Sequence, residues 1–369
     1  MTEADLQTLH AQVLWAGFLL SAVFGAIAQR SHFCTMGAVS DIVTMGDWSR
    51  MRMWIAAIGT ATIGFNTMVA LGWVSAANSL YGGPRVMWLS ALVGGALFGI
   101  GMVLGSGCGS KTLVRMGGGN LKSLVVFIVL GLSAFATLKG ITGVARVATV
   151  DRVYVELAPG QDLPSLVAAA SGAGRPGVAG LLGLVIGGAL LAFALAPRES
   201  RRGVGAGIAV GTIVVAVWWV SGRLGHVAED PRTLEEAFVA TNSRRMESLS
   251  FVAPIAYLLD WLLFFSDASK ALTLGIVSAL GVVAGAAAQA LASRSFRWEG
   301  FRDTGDMARH LAGGALMGVG GVTAIGCTIG QGVSGVSTLG LTSLVALGAI
   351  LAGAVAALRW QMWQLERSA

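Results

Sequence analysis

Charge is what this chain has least of. Only 12% of its 369 residues are Asp, Glu, Lys or Arg, about half of the roughly 25% usual in soluble domains. Hydrophobic residues make up 55% and mean hydropathy is +0.74. Too few charges remain to cover a soluble surface, which excludes a soluble globular enzyme and a disordered chain. Cysteine is also scarce: Cys34, Cys108 and Cys327 are odd in number and widely spaced, with no CxxC and no Cys/His cluster. A zinc site or a disulfide framework is not expected, and no metal or cofactor is implied. No Walker motif is present, so ATP drive within the chain is not expected. No chain of intramembrane carboxylates is seen either, and proton coupling is unsupported. No basic run is interleaved with exposed aromatics, so nucleic acid is not an expected partner. The start, Met1–His10, is polar and acidic, and the first apolar stretch is too long for a signal peptide, so no cleavable leader is expected.

Glycine is abundant, at 53 residues. In a membrane protein this means close helix packing and broken or re-entrant segments. About 20 apolar residues cross a bilayer. Charge-free windows predict nine spans, near 12–28, 53–74, 86–105, 122–138, 178–196, 204–221, 271–292, 309–325 and 341–359. Ser248–Leu259 is apolar but too short to span, and reads as a half-helix or re-entrant piece. Trp48, Trp54, Trp73, Trp88, Trp360 and Trp363 sit near proposed ends, as interfacial belts or as packing residues.

Nine spans put the termini on opposite sides. The loops after spans 1, 3, 5 and 7, with the tail, carry Arg30, Arg50, Lys111, Arg115, Arg198, Arg201, Arg202, Arg294, Arg297, Arg302, Arg359 and Arg367. The N-terminus has no Lys or Arg, and the loop after span 2 has Arg85 alone. The positive-inside rule then predicts the N-terminus outside and the C-terminus in the cytoplasm.

Gly94–Cys108 reads GGALFGIGMVLGSGC and Gly313–Cys327 reads GGALMGVGGVTAIGC, identical at nine of fifteen positions without a gap. The copies fall in spans 3 and 8, an odd number of crossings apart, so they are expected to run in opposite directions, as an inverted-topology repeat does. The fold class expected is therefore an all-α polytopic membrane protein in two inverted pseudo-symmetric halves, 12–138 and 204–359, joined by a linker span at 178–196. Such repeats place a shared site near the bilayer midplane, built from broken helices.

All three cysteines lie at such breaks. Cys34 sits in QRSHFCTMG, Cys108 precedes GSKTLVRMGGGN and Cys327 precedes TIGQGVSGVSTLG. A buried cysteine is most often an inert small hydrophobe; three of three at helix breaks argue otherwise. A thiol is a weak donor with soft, polarizable sulfur. It suits a solute carrying a terminal sulfur, while loop N–H groups and helix N-termini suit an oxyanion end. A neutral thiol favours passage of such an anion, whereas a thiolate favours attack on a sulfur–sulfur bond. The residues alone leave both open.

QRSHFCTMG, GSGCGSKT with its following glycines, and GCTIGQG resemble the signature loops of the YeeE/YedE family of sulfur-transport membrane proteins, over about residues 12–359. The resemblance implies a helical bacterial inner-membrane protein that takes up thiosulfate, with Cys34, Cys108 and Cys327 passing the anion along by S–H···S hydrogen bonds at a central constriction. It implies a substrate-binding set of these three cysteines with the loop residues Gly107, Gly109, Lys111, Gly326, Gly330 and Gln331, and membrane lipid as surroundings. Some relatives are linked to a TusA-like sulfur-carrier protein; no such domain is expected within a chain ending at Ala369. The alternative is a membrane sulfurtransferase that relays sulfane sulfur as a cysteine persulfide, against which three separated thiols without a resolving partner count a little.

Other residues carry two readings. Lys111 attracts the anion at the cytoplasmic mouth or is a topology charge. Arg30 and His32, beside Cys34, invite the same pair. Gln331 donates to an oxyanion or satisfies loop carbonyls. Ser110, Thr112, Thr328 and Ser334 are candidate donors or ordinary packing residues. Arg244, Arg245 and Glu247 form an extracellular inlet or, as the better reading, a solvated charge cluster.

Overall fold

The computed structural model describes residues 2–196, 201–231, 233–267 and 270–368. Arg198, one of the charges used for orientation above, lies outside them, as do the side chains of Arg201 and Arg202. The chain forms α1 (Glu3–Ser31), α2 (Thr35–Met45), α3 (Ser49–Ala70), α4 (Trp88–Leu104), α5 (Gly109–Gly117), α6 (Leu121–Lys139), α7 (Ile141–Ala148), α8 (Leu163–Ser171), α9 (Arg175–Leu195), α10 (Arg201–Trp219), α11 (Ala253–Leu263), α12 (Leu274–Ala292), α13 (Thr304–Thr323) and α14 (Leu341–Ser368). The strands among the described residues make two small ladders, Arg85–Val86 with Val155–Glu156 and His226–Val227 with Ala237–Phe238.

Four helix starts carry polar caps. Thr2 and Asp5 make a capping box on α1, Asn120 caps α6, Asp162 caps α8 and Asp303 caps α13. Eight helical stretches among the described residues are long and apolar enough to cross a membrane, α1 with α2 and α4 with α5 each counting as one. The protein is thus a multi-pass membrane protein. The span expected near 309–325 corresponds to α13, which is 20 residues long but is not among the eight; Asp306, Arg309 and His310 lie in its first turns. The half-helix expected at Ser248–Leu259 is α11, eleven residues placed slightly later.

The bundle is built from glycine-mediated contacts: α1 on α12, α3 on α9 and α10, α4 on α13 and α14, and α13 on α6. At its centre α4 and α13 lie antiparallel. A Cβ on Gly101 would meet Gly313 O at 2.8 Å, and one on Gly320 would meet Gly94 O at 2.6 Å. Gly101 and Gly320 hold the same position in the two fifteen-residue copies, as do Gly94 and Gly313, so the contacts are reciprocal. Small residues here let two backbones touch, which supplies packing that lipid-like side chains cannot.

Exposed Trp15, Leu19 and Val23 on α1, and Leu181, Leu184 and Val185 on α9, face outward. Trp48, Trp73, Trp88, Trp360 and Trp363 are exposed near helix ends, but Trp54 is 3% exposed. Its ring packs where a Gly332 side chain would otherwise be. Trp54 is therefore a packing residue and not part of a surface belt.

Candidate functional site

Each cysteine stands at the N-terminal end of a short helical segment. Cys34 precedes α2 in an extended conformation, and its Sγ accepts the Gly37 N–H at 3.4 Å. Cys108 precedes α5, its Sγ 3.3 Å from Ser110 Oγ. Cys327 precedes a π-helical turn at Gly330–Gly335, and its Sγ accepts the Gly330 N–H at 3.4 Å. A helix start leaves N–H groups without intrahelical partners and carries the positive end of the peptide dipoles. Two such N–H groups, of Gly37 and Gly330, donate to a cysteine sulfur.

The turns before Cys108 and Cys327 repeat each other. Gly107 N–H reaches Met102 O and Gly326 N–H reaches Gly321 O, both at 2.8 Å. The residue before each glycine is left-handed: Ser106 at φ +55° and Ile325 at φ +59°. Beyond the cysteines, Thr112 N–H donates to Cys108 O at 2.9 Å and Gln331 N–H to Cys327 O at 2.7 Å.

The structure brings the three breaks together. The Cys34 and Cys108 thiols lie beside each other, and Cys108 also neighbours Thr328, the residue after Cys327. All three cysteines are buried. Thr35 and Thr328 directly follow Cys34 and Cys327; their hydroxyls are buried and make no hydrogen bond of normal geometry. Gln331 Oε1 is in the same condition, while its amide nitrogen donates to Ala324 O. An unpaired polar atom at this depth costs about 1–3 kcal/mol, so these groups suit a polar solute between them.

Two cavities approach this cluster from opposite faces. On the face bearing the N-terminus, a cavity of about 160 Å³ is lined by Arg146, Glu247, Ser250, Tyr257, Ile325 and Gly326, among others. On the face bearing the C-terminus, a cavity of about 660 Å³ is lined by Gln29, His32, Ser106, Lys111, Arg115 and several further charged residues. Each abuts one of the matched turns, Ile325 above and Ser106 below. Lys111 lies on the second side alone.

The loop glycines singled out in the sequence are places of close approach. A Cβ at Gly107 would sit 3.0 Å from Lys111 Cγ, at Gly109 3.2 Å from Phe251 O, at Gly326 3.2 Å from Gln331 N, and at Gly330 2.6 Å from Ser250 Oγ. Phe251 and Ser250 come from the segment leading into α11, and sequence reasoning missed them, as it missed Thr35. It also missed the ion pair between Asp41 and Arg50 (Nη2···Oδ1 2.6 Å), which ties α2 to the start of α3. The guanidinium lies where a Gly37 side chain would be.

The cluster at 244–247 is not uniformly solvated, which corrects the better of the two sequence readings. Arg244 and Arg245 are exposed. Glu247 lines the first cavity, and burial pushes its carboxyl up to about 7, against a hydrogen bond from Ser243 Oγ at 3.2 Å that favours the ion.

The profile of the family described as sulphur transport matches residues 30–356. The chain is 25% identical over 346 residues to a protein of Spirochaeta thermophila named thiosulfate transporter TsuA, covering 90% of this chain and 94% of that one. A protein of the same name from Escherichia coli is 25% identical, covering 87% of each. Probable transporter YedE of Salmonella typhimurium is 29% identical over 114 residues, 30% of this chain and 26% of that one. With the profile running through all three cysteine turns and both copies of the internal repeat, the chain belongs to the sulphur transport (YeeE/YedE) family.

Proposed function

We propose that the protein is a permease that takes up thiosulfate, or a closely related sulfur oxyanion, across the bacterial inner membrane along a path through Cys34, Cys108 and Cys327. The observation that carries this reading is the meeting of three cysteine-bearing helix breaks between two cavities on opposite faces. The names of the full-length relatives support it. The N-terminal face is the outer one and the C-terminal face, with Lys111 and Arg115, the cytoplasmic one, in line with the loop-charge bias. The two halves, 12–138 and 204–359, are inverted about the α4–α13 contact, with 178–196 as linker. Lipid covers the outward apolar faces of α1 and α9.

The anion loses part of its water at the constriction. Helix-start N–H groups and the hydroxyls of Thr35 and Thr328 replace that water around the oxygens. Neutral thiols hold the terminal sulfur weakly and hand it from Cys327 to Cys108 to Cys34. Weak repeated sites favour flux over trapping. Gly107, Gly109, Gly326 and Gly330 keep the turns close, Gln331 braces the second turn, and Lys111 draws the anion out.

The test is uptake of thiosulfate labelled at its outer sulfur into proteoliposomes, with wild type and each Cys→Ala variant, following both sulfurs. Intact thiosulfate entering with wild type and failing with the variants supports the path; undiminished uptake by a triple Cys→Ala variant sinks it.

One observation favours a second reading. Cys34 and Cys108, far apart in sequence, lie beside each other, so each has the resolving partner that the sequence did not show. On this reading a Cys108 thiolate attacks the outer sulfur, sulfite leaves, and the persulfide passes its sulfur to a TusA-like carrier in the cytoplasm. Labelled protein without entry of the inner sulfur in the same experiment selects it.

A further inference from the structure

The cavity on the N-terminal face holds a carboxylate where an anion is to enter. Glu247 is fixed there by its backbone: its N–H donates to Ser221 Oγ at 3.2 Å and its carbonyl accepts from the same hydroxyl at 2.6 Å, which pins it to the π-helical turn that follows α10. The side chain takes a hydrogen bond from Ser243 Oγ. Among the described residues no basic group pairs with it. Arg146, the cation of the same cavity, is engaged by Asp151 at 3.0 Å. Arg245 points instead at Ser79 O, and Arg244 lines a separate pocket beside His10.

The other titratable groups around Glu247 come from each neighbouring element. Tyr257 of α11 lines the same cavity, with Asp260 one turn further along and held by Lys270 at 2.6 Å. Tyr81, from the stretch before α4, is buried with its hydroxyl beside Gly330. Burial pushes both phenols further above their ordinary range, so neither titrates near neutrality. Thiosulfate itself stays a dianion throughout the neutral range.

A dianion and a carboxylate brought together in one small, partly apolar cavity repel each other more than they would in open water. The repulsion vanishes when the carboxyl is neutral. Binding of the anion and binding of a proton must then favour one another, and by linkage the effect is reciprocal. Resting on the permease reading above, we propose that Glu247 is a proton-binding site at the inlet, and that a sulfur oxyanion enters only when that site is loaded. Burial places the carboxyl where this matters, near pH 7. Below that the inlet is neutral and open to the anion; above it the inlet is charged and repels.

The experiment is initial uptake of labelled thiosulfate, below saturation, into proteoliposomes of fixed internal pH with the potential clamped by potassium and valinomycin, as external pH is varied across neutrality. Wild type, Glu247→Gln and Glu247→Asp are compared. Wild-type uptake is expected to be flat on the acid side and to fall by a factor approaching about ten per pH unit above about 7. Glu247→Gln, neutral at every pH, keeps the acid rate and loses the fall. Glu247→Asp, still titratable, keeps a fall. A flat wild-type profile, or the same fall in Glu247→Gln, overturns the proposal while cysteine-dependent uptake leaves the permease reading standing. Absence of uptake at every pH overturns both.

Discussion

Ile325 repeats the left-handed backbone of Ser106, at φ +59° against +55°, in the turn that leads to its cysteine. For serine the conformation is uncommon. For a β-branched residue it is a true outlier, with a cost of about 1–3 kcal/mol. The surrounding backbone imposes it: the Gly326 N–H to Gly321 O bond and the Ile325 N–H to Val322 O bond both require the chain to reverse there.

Replacing Ile325 by glycine is therefore expected to raise the thermal midpoint, by an amount corresponding to about 1 kcal/mol after the added freedom of the unfolded chain is counted. Ile325→Val, still β-branched, gains nothing. A lower midpoint for the glycine variant shows that side-chain packing outweighs backbone strain at this turn.

Gly320→Ala is expected to destabilise by about 1–3 kcal/mol, because the new methyl would press on Phe98 N at 2.5 Å and Gly94 O at 2.6 Å. Gly348 faces open space, and a methyl added there would meet nothing within 4 Å, so Gly348→Ala is the control and leaves the midpoint unchanged or slightly raised. Thermal unfolding in detergent, read by tryptophan fluorescence, compares the two.

Thr328→Val removes a hydroxyl that is buried and without a partner of normal geometry. Stability is expected to hold or rise slightly, since an unsatisfied group is lost. The half-saturation concentration for thiosulfate uptake is expected to rise about tenfold, the worth of one hydrogen bond to a charged acceptor. An unchanged half-saturation concentration shows that the hydroxyl does not meet the anion.

Arg50→Gln leaves the Asp41 carboxylate, 5% exposed in its side chain, without its cation. Stranding a buried charge costs about 3–5 kcal/mol, and the exposure of Arg50 places this case at or below the lower end. Asp41→Asn with Arg50→Gln, which strands nothing, is expected to recover much of the loss in the same unfolding assay.

Much of the fold is legible in the residues. The crossing segments follow from the shortage of charge, and the fifteen-residue repeat is plain because its glycines and cysteine stay in place. The cysteine turns are visible as breaks in apolar runs. What stays hidden depends on contacts between distant parts of the chain. Phe251 reaches Gly109 and Cys327 only once the segment before α11 packs against both cysteine turns. Asp41 and Arg50 are close in sequence, but nothing in the local pattern marks them as a buried pair. Glu247 is misread from sequence because its neighbours Arg244 and Arg245 are exposed. A run of charges looks like one solvated patch until the backbone turns one member inward.

The antiparallel seam between α4 and α13 restricts how such a protein can move. Backbone meets backbone along it, with Gly94, Gly101, Gly313 and Gly320 each within reach of a carbonyl or amide of the facing helix. Sliding or rocking one repeat past the other would drive helix backbones into each other or open gaps that lipid cannot fill. The seam thus acts as a rivet and not as a hinge. In the permease proposed above, motion that lets the solute through is then left to the short turns in front of the cysteines and not to a shift of one repeat against the other.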